Sequence, residues 1–256
     1  MIITTDIVLL LFIIMLGSYI QTITGFGLAI IVIGVSGALS LGSIATLAIV
    51  VSFITLTNCL FALRGLMKFV KWDVILFTSV GIIPGIIIGI ISLEHLSQNA
   101  SNALKALLGV NVLVSGILFI LKPKSQDAVS SHVSFAFAGF LAGLAGGAFG
   151  MAGPPVAYQI YKQPYNIVMV KALLLTLFCC TSGVRTLVVL WEGHIPQDVW
   201  NLSIIAIPLV MLTTIAARRF PPPVSAQTLK KSVIVLLIVV GFKLIVEGLS
   251  LLFRIS

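Results

Sequence analysis

Residues 143–159 read GLAGGAFGMAGPPVAYQ, and they interrupt an apolar run that otherwise continues from Val133 to Ile160. Five glycines and a double proline stand where a membrane-crossing helix would be expected, and both residue types break helices. The surrounding composition makes the interruption informative. With 59% hydrophobic and 9% charged residues and a mean hydropathy of +1.23, the 256-residue chain lacks the polar surface that a water-soluble domain needs. It reads as an all-α polytopic membrane protein.

Apolar stretches at 43–63, 74–92, 101–121, 172–190, 199–217 and 232–251 are each long enough to span ~30 Å of hydrocarbon. Two longer runs, 7–41 and 133–160, remain. The first has no basic n-region, carries Asp6, and exceeds the length of a signal-peptide core, so it is expected to stay in the mature protein. The net charge of +8 is spread over short loops, which fits membrane topology and argues against nucleic acid as a partner. Cys59, Cys179 and Cys180 fall inside apolar stretches without metal or redox spacing and read as small buried residues. No metal or other cofactor is expected.

An overlay of the chain on itself at offsets of about 123–125 residues aligns punctuating residues that are rare in so apolar a sequence. Phe26-Gly27-Leu28-Ala29 meets Phe149-Gly150-Met151-Ala152, Asp73 meets Asp198, Pro84 meets Pro208, Leu104-Lys105 meets Leu229-Lys230, and Gly116 meets Gly241. This predicts two repeats, residues 1–125 and 126–256, forming one integral membrane transport domain. Were every block one crossing, there would be eight simple spans, four per half, and the basic loops 64–71 and 218–231 would lie on opposite sides, against the positive-inside rule. If the two long runs instead enter, turn and leave on the same side, the basic loops 64–71, 122–124, 162–171 and 218–231 all become cytoplasmic, while Asp6, Glu94, Glu192 and Asp198 face out.

Length favours the turn: a straight helix over 7–41 would run ~52 Å, whereas two arms of roughly 14 to 17 residues reach ~21–25 Å. The expected fold is therefore two inverted repeats, each a re-entrant or broken helical hairpin plus three transmembrane helices. Eight simple spans in a 4+4 arrangement are the alternative.

Irregular backbone at membrane depth is tolerated only where protein buries it or it lines a polar cavity. The hairpin tips, 24–27 and 146–155, are expected to meet near the midplane. Helices restarting there would present free N–H groups and a positive dipole end, which favour an anion. Gly25, Gly27, Gly147, Gly150 and Gly153 would let a ligand approach the backbone, with Phe26 and Phe149 beside them, and Pro154 suits a first helical turn. Gln21, Thr24, Asn58, Tyr158, Gln159, Thr181 and Ser182 supply neutral polar groups to the expected binding site. The competing reading is that the glycines serve helix packing and the polar residues bond helices together.

Three charges fall inside apolar stretches. Lys243 and Glu247 lie four apart on one helix face and read either as an ion pair or as pathway residues, while Arg185, close enough to a span end to snorkel, reads mainly as structural and stands with them as a possible pathway charge. Trp72, Trp191 and Trp200 read as interface anchors. His95, His132 and His194 fall in loops or at span ends, and no nucleophile-base pair or metal cluster appears at depth, so the chain is not expected to be an enzyme.

TGFGLAI at 24–30, GGAFGMAGPPVAY at 146–158 and the duplicated layout resemble the sulfite exporter TauE/SafE family, of the 4-toluene sulfonate uptake permease superfamily. The resemblance implies transport of a small sulfur-containing anion, such as sulfite, sulfoacetate or a related organosulfonate, across the bacterial cytoplasmic (inner) membrane. Export is the expected direction, because an anion leaving a negative interior moves downhill by ~2.3 kcal/mol per charge at 100 mV. An uptake permease or a channel for a different anion or small solute is the alternative. The expected partners are the anion and the lipid bilayer, and a homodimer is allowed for.

Overall fold

The computed structural model of the chain describes residues 5–120, 126–193, 195–222 and 226–253. The expected basic loop 122–124, residues 223–225 of the loop 218–231, and His194 lie outside them. The described residues form ten α-helices and one short 3₁₀ turn, Met67–Phe69, with no strand.

Each long apolar run is broken at its glycines. The first gives α1 (Thr5–Thr24) and α2 (Leu28–Ala38), followed by three uninterrupted helices, α3 (Ile44–Ala62), α4 (Trp72–Asn99) and α5 (Ser101–Ile120). The second gives α6 (His132–Phe149) and α7 (Gly153–Tyr161), then α8 (Ile167–Glu192), α9 (Gln197–Arg219) and α10 (Ala226–Phe253). Seven of these helices, α1, α3, α4, α6, α8, α9 and α10, are long and apolar enough to cross a membrane. The chain is a multi-pass membrane protein. Their outward faces carry exposed Leu76, Phe137, Leu187 and Phe242, as lipid contact requires, and the tryptophans Trp72, Trp191 and Trp200 are exposed at helix ends.

The arms differ from the near-equal lengths expected from the sequence. At 20 and 18 residues, α1 and α6 run ~30 and ~27 Å, whereas the returning α2 and α7, of 11 and 9 residues, run only ~16 and ~14 Å. The turns are short, residues 25–27 and 150–152, and the first doubles back at once: Leu28 N–H donates to Gln21 Oε1, on the helix just left, at 3.1 Å.

The basic loops gather at one end of the bundle. Arg218, in the last turn of α9, donates from Nη1 to the Phe61 carbonyl at 2.6 Å and from Nη2 to the Arg64 carbonyl at 2.8 Å. Lys71 Nζ lies 4.9 Å from the centre of the Tyr165 ring. The loops 64–71 and 218–219 therefore share an end, which eight simple spans would forbid.

Two tight helix pairs hold the bundle. α4 and α6 run parallel with backbones in contact, because Gly81, Gly85 and Gly89 on one face Gly139, Gly143 and Gly147 on the other, four residues apart on each helix. α5 and α10 run antiparallel with Gly109 and Gly241 at their contact. The main packings come in exchanged pairs: α4 on α6 and α9 on α1, α3 on α9 and α8 on α4, α2 on α10 and α7 on α5, with α3 on α8 and α5 on α10 joining equivalent elements.

Candidate functional site

The two breaks are built differently and lie toward opposite ends of the bundle. In the first, Gly25 and Gly27 adopt φ of 87° and 117°, a left-handed conformation that side chains resist. Thr24 Oγ1 stitches the turn, its single proton shared between the carbonyls of Ile20 and Phe26, both at 2.8 Å. Gly25 packs on Lys171, one turn into α8 from the basic end. The second break closes α6 with left-handed Gly150, whose N–H donates to the Gly146 carbonyl at 2.8 Å. Gly150 rests on Ala48, one turn into α3 from the other end. Gly25 and the Gly150 support on α3 thus lie apart, but Phe26 and Gly27 of the first turn and residues 150–153 of the second converge.

They converge on a small cavity of about 30 Å³. One wall is Phe26, Gly27, Ala29 and Ile30 at the start of α2; the facing wall is Gly150, Met151, Ala152, Gly153 and Pro154 at the start of α7. Gln21 from α1, Thr55 from α3, and Phe178, Thr181 and Ser182 from α8 complete it. Every lining residue is uncharged. The first hydrogen bond within α2 runs from Ile31 N–H to Gly27 C=O, so the N–H groups of Ala29 and Ile30 have no acceptor inside the helix. Leu28 N–H is taken by Gln21. In α7 the prolines occupy the opening turn, as the sequence predicts, and remove donors there without cost to the helix.

Thr55 was not singled out from the sequence. Thr55 lines the cavity, and its buried Oγ1 has no hydrogen-bond partner among the described residues. A buried hydroxyl without a partner costs about 1–3 kcal/mol, a cost that a polar group in the cavity would relieve. Ala29, Ile30, Met151, Ala152 and Phe178 also join the lining without a sequence signal, since apolar residues look alike in an apolar chain.

Of the residues expected to bind, Gln21, Phe26, Gly27, Gly150, Gly153, Pro154, Thr181 and Ser182 are brought together around this cavity. The others lie outside its lining. Thr24 and Gly25 shape the first turn. Asn58 accepts from Gln21 Nε2 at 2.9 Å and donates to Thr214 Oγ1 at 2.7 Å, within a buried polar cluster that also holds Ser18 and Thr22. Gly147 is a contact residue of α4 and α6, and Phe149 is buried beside it. Gln159 donates to Ser134 Oγ at 2.9 Å, and Tyr158 is half-buried on the same short helix.

The intramembrane charges are also placed. Lys243 Nζ bonds the Ala38 carbonyl at 2.7 Å, at the end of α2 opposite the cavity, and lies 3.5 Å from Glu247; Glu247 in turn meets Lys105 of α5 at 2.6 Å. This cluster ties α2, α5 and α10 together and compensates the negative end of the α2 dipole. Glu247→Gln is expected to lower the melting temperature by about 2–4 °C, the equivalent of a ~1 kcal/mol pair, and to leave flux within about twofold, as thermal-shift and transport assays would show. Arg185 does not snorkel. It is 1% exposed, because α8 continues to Glu192, and it donates from Nε to Gly147 C=O at 2.9 Å and from Nη1 to Ala48 C=O at 2.6 Å and Ser52 Oγ at 2.7 Å.

The family model described as "Sulfite exporter TauE/SafE" matches residues 9–244 of the chain. Among curated proteins, the probable sulfite/organosulfonate exporter TauE of Cupriavidus necator is 39% identical over 234 residues, covering 91% of each chain. No solved structure matches.

Proposed function

The chain belongs to the sulfite exporter TauE/SafE family of membrane transporters, and from that we propose that it exports a small sulfur-containing anion, sulfite, sulfoacetate or a related organosulfonate, across the bacterial cytoplasmic membrane. The observation that carries the reading is the cavity between the starts of α2 and α7, into which two helix N-termini and the unpartnered Thr55 hydroxyl are gathered. The N–H groups at the start of α2 and the lining hydroxyls solvate oxyanion oxygens without placing a fixed charge beside them. Weak, neutral coordination suits a carrier, which has to release what it binds.

The exchanged packing of the elements supports reading residues 1–125 and 126–256 as inverted repeats, and the shared end of the basic loops supports a cytoplasmic location for it. With no titratable group in the cavity lining, export down the membrane potential is the direction favoured. The test is flux in proteoliposomes with sulfite, sulfoacetate and sulfate compared with lactate and chloride. Saturable flux of the sulfur anions is expected, and Thr55→Val should raise the half-saturating concentration about fivefold to tenfold, the loss of one hydroxyl hydrogen bond. Flux that neither saturates nor distinguishes anions would identify a channel instead.

A further inference from the structure

We infer that Lys171 and Arg185 are the pathway cations of this transporter, one behind each glycine turn, and that the face of α8 between them is the track along which the anion passes through the cavity. The inference rests on the cavity being the substrate site. Lys171, Phe178, Ser182 and Arg185 follow one another at spacings of seven, four and three residues, which places all of them on one face of α8. Phe178 and Ser182 line the cavity. The two cations stand about 21 Å apart along the axis, on either side of it.

Each cation is joined to a turn. A Cβ on Gly25 would meet Lys171 Cγ at 3.1 Å, so the lysine stem lies directly on the first turn, within electrostatic reach of Arg218 at the basic end. Arg185 holds the second break from the other side, through the Gly147 carbonyl and the same Ala48 carbonyl on which Gly150 rests. Beyond Arg185 opens a recess of about 720 Å³ lined by Ser43, Thr46, Glu94, Arg185 and Glu192. The guanidinium therefore stands between this recess and the turn that borders the cavity. Its hydrogen bonds above all go to neutral oxygens, while Glu192 of the recess lies within its electrostatic reach.

The arrangement divides two tasks that one residue would perform poorly. A cation inside the cavity would hold the anion too firmly for release, whereas cations outside it draw the anion to either turn and leave the central site neutral.

The test is sided kinetics in vesicles of fixed orientation, with sulfite supplied at the basic end or at the opposite end. Lys171→Gln is expected to raise the half-saturating concentration about tenfold from the basic end and less than about twofold from the other, and Arg185→Gln the reverse. Lys171→Arg and Arg185→Lys should restore most of the loss. Because Arg185→Gln removes buried hydrogen bonds, Arg185→Lys and the less buried Lys171 series keep the test decisive if that variant does not fold. Equal changes from both sides, or reduced thermal stability with unchanged half-saturation from either side, would assign both cations to structure and overturn the inference. Thr55→Val separates the two readings. If it leaves saturation unchanged while the sided shifts persist, the two cations remain pathway residues but the cavity assignment, and with it the track through the cavity, falls; if it weakens saturation and no sided shift appears, the cavity stands and the track falls.

Discussion

Gly143→Leu is expected to leave essentially no folded protein to assay, with loss of the monodisperse species in detergent. The cause is the contact between α4 and α6, where backbone meets backbone. A Cβ at Gly143 would overlap the Ile82 carbonyl and stand 3.0 Å from Gly85 Cα, and a Cβ at Gly85 would lie 2.9 Å from both Gly143 Cα and Leu144 N. Neither obstacle is the end of a flexible side chain, so relief requires the helices to separate along the whole row from Gly81 and Gly139 to Gly89 and Gly147. In a membrane, where packing rather than the hydrophobic effect joins helices, that separation removes much of what holds them. Gly143→Ala should already destabilise by about 1–3 kcal/mol, the usual range for overpacking. Gly183 is the contrasting position: it lies within α8 with its nearest obstacle, Leu56 Cδ1, at 3.9 Å, so Gly183→Ala should be neutral or stabilising by about 0.4–1 kcal/mol. Equal loss from Gly143→Ala and Gly183→Ala in a thermal-shift assay would refute the assignment of the row.

This distinction among glycines shows how far the sequence could be read. Hydropathy and glycine placement were enough to separate six single helices from two broken runs, and loop charge was enough to choose between the two topologies. What could not be read was which glycine serves which purpose. Gly143 and Gly147 belong to a four-residue packing row whose partner, Gly81 to Gly89, lies in another helix, and only the fold reveals the pairing. Gly150, three residues later in the same motif, has a different role that depends on its positive φ. Arg185 looked like a span-end residue because the apolar stretch ends at residue 190, yet α8 runs on to Glu192 and the arginine is enclosed by α3 and α6. Thr55 gave no signal because a threonine in a membrane helix ordinarily bonds the carbonyl four residues back, as Thr176 and Thr181 do. Thr55 makes no such bond, and that is a property of its surroundings rather than of its identity.

Gly150→Leu, by contrast, should leave a folded protein that does not transport. At φ +67° a leucine pays about 1–2 kcal/mol of backbone strain, and its Cβ would press on the Ala48 carbonyl at 3.1 Å. The turn lies at an element end, outside the α4 and α6 contact, so the strain is met by movement of residues 150–153 rather than by separation of helices. Those residues are one wall of the cavity, and the Ala48 carbonyl they would displace is an acceptor for Arg185. A shift of about 1 Å in a wall that coordinates substrate is enough to cost on the order of 100-fold in rate, so sulfite flux should fall by at least that factor. The melting temperature should fall by no more than about 8 °C, the equivalent of up to ~2 kcal/mol. Gly153→Ala provides the control on the same wall. Its φ is ordinary and its nearest obstacle is the Phe178 ring edge at 3.8 Å, so the added methyl enters open space and should change half-saturation without abolishing flux. A folded Gly150→Leu protein that transports at the normal rate would place the substrate path away from the second turn, because no route through the cavity avoids the wall that this residue anchors.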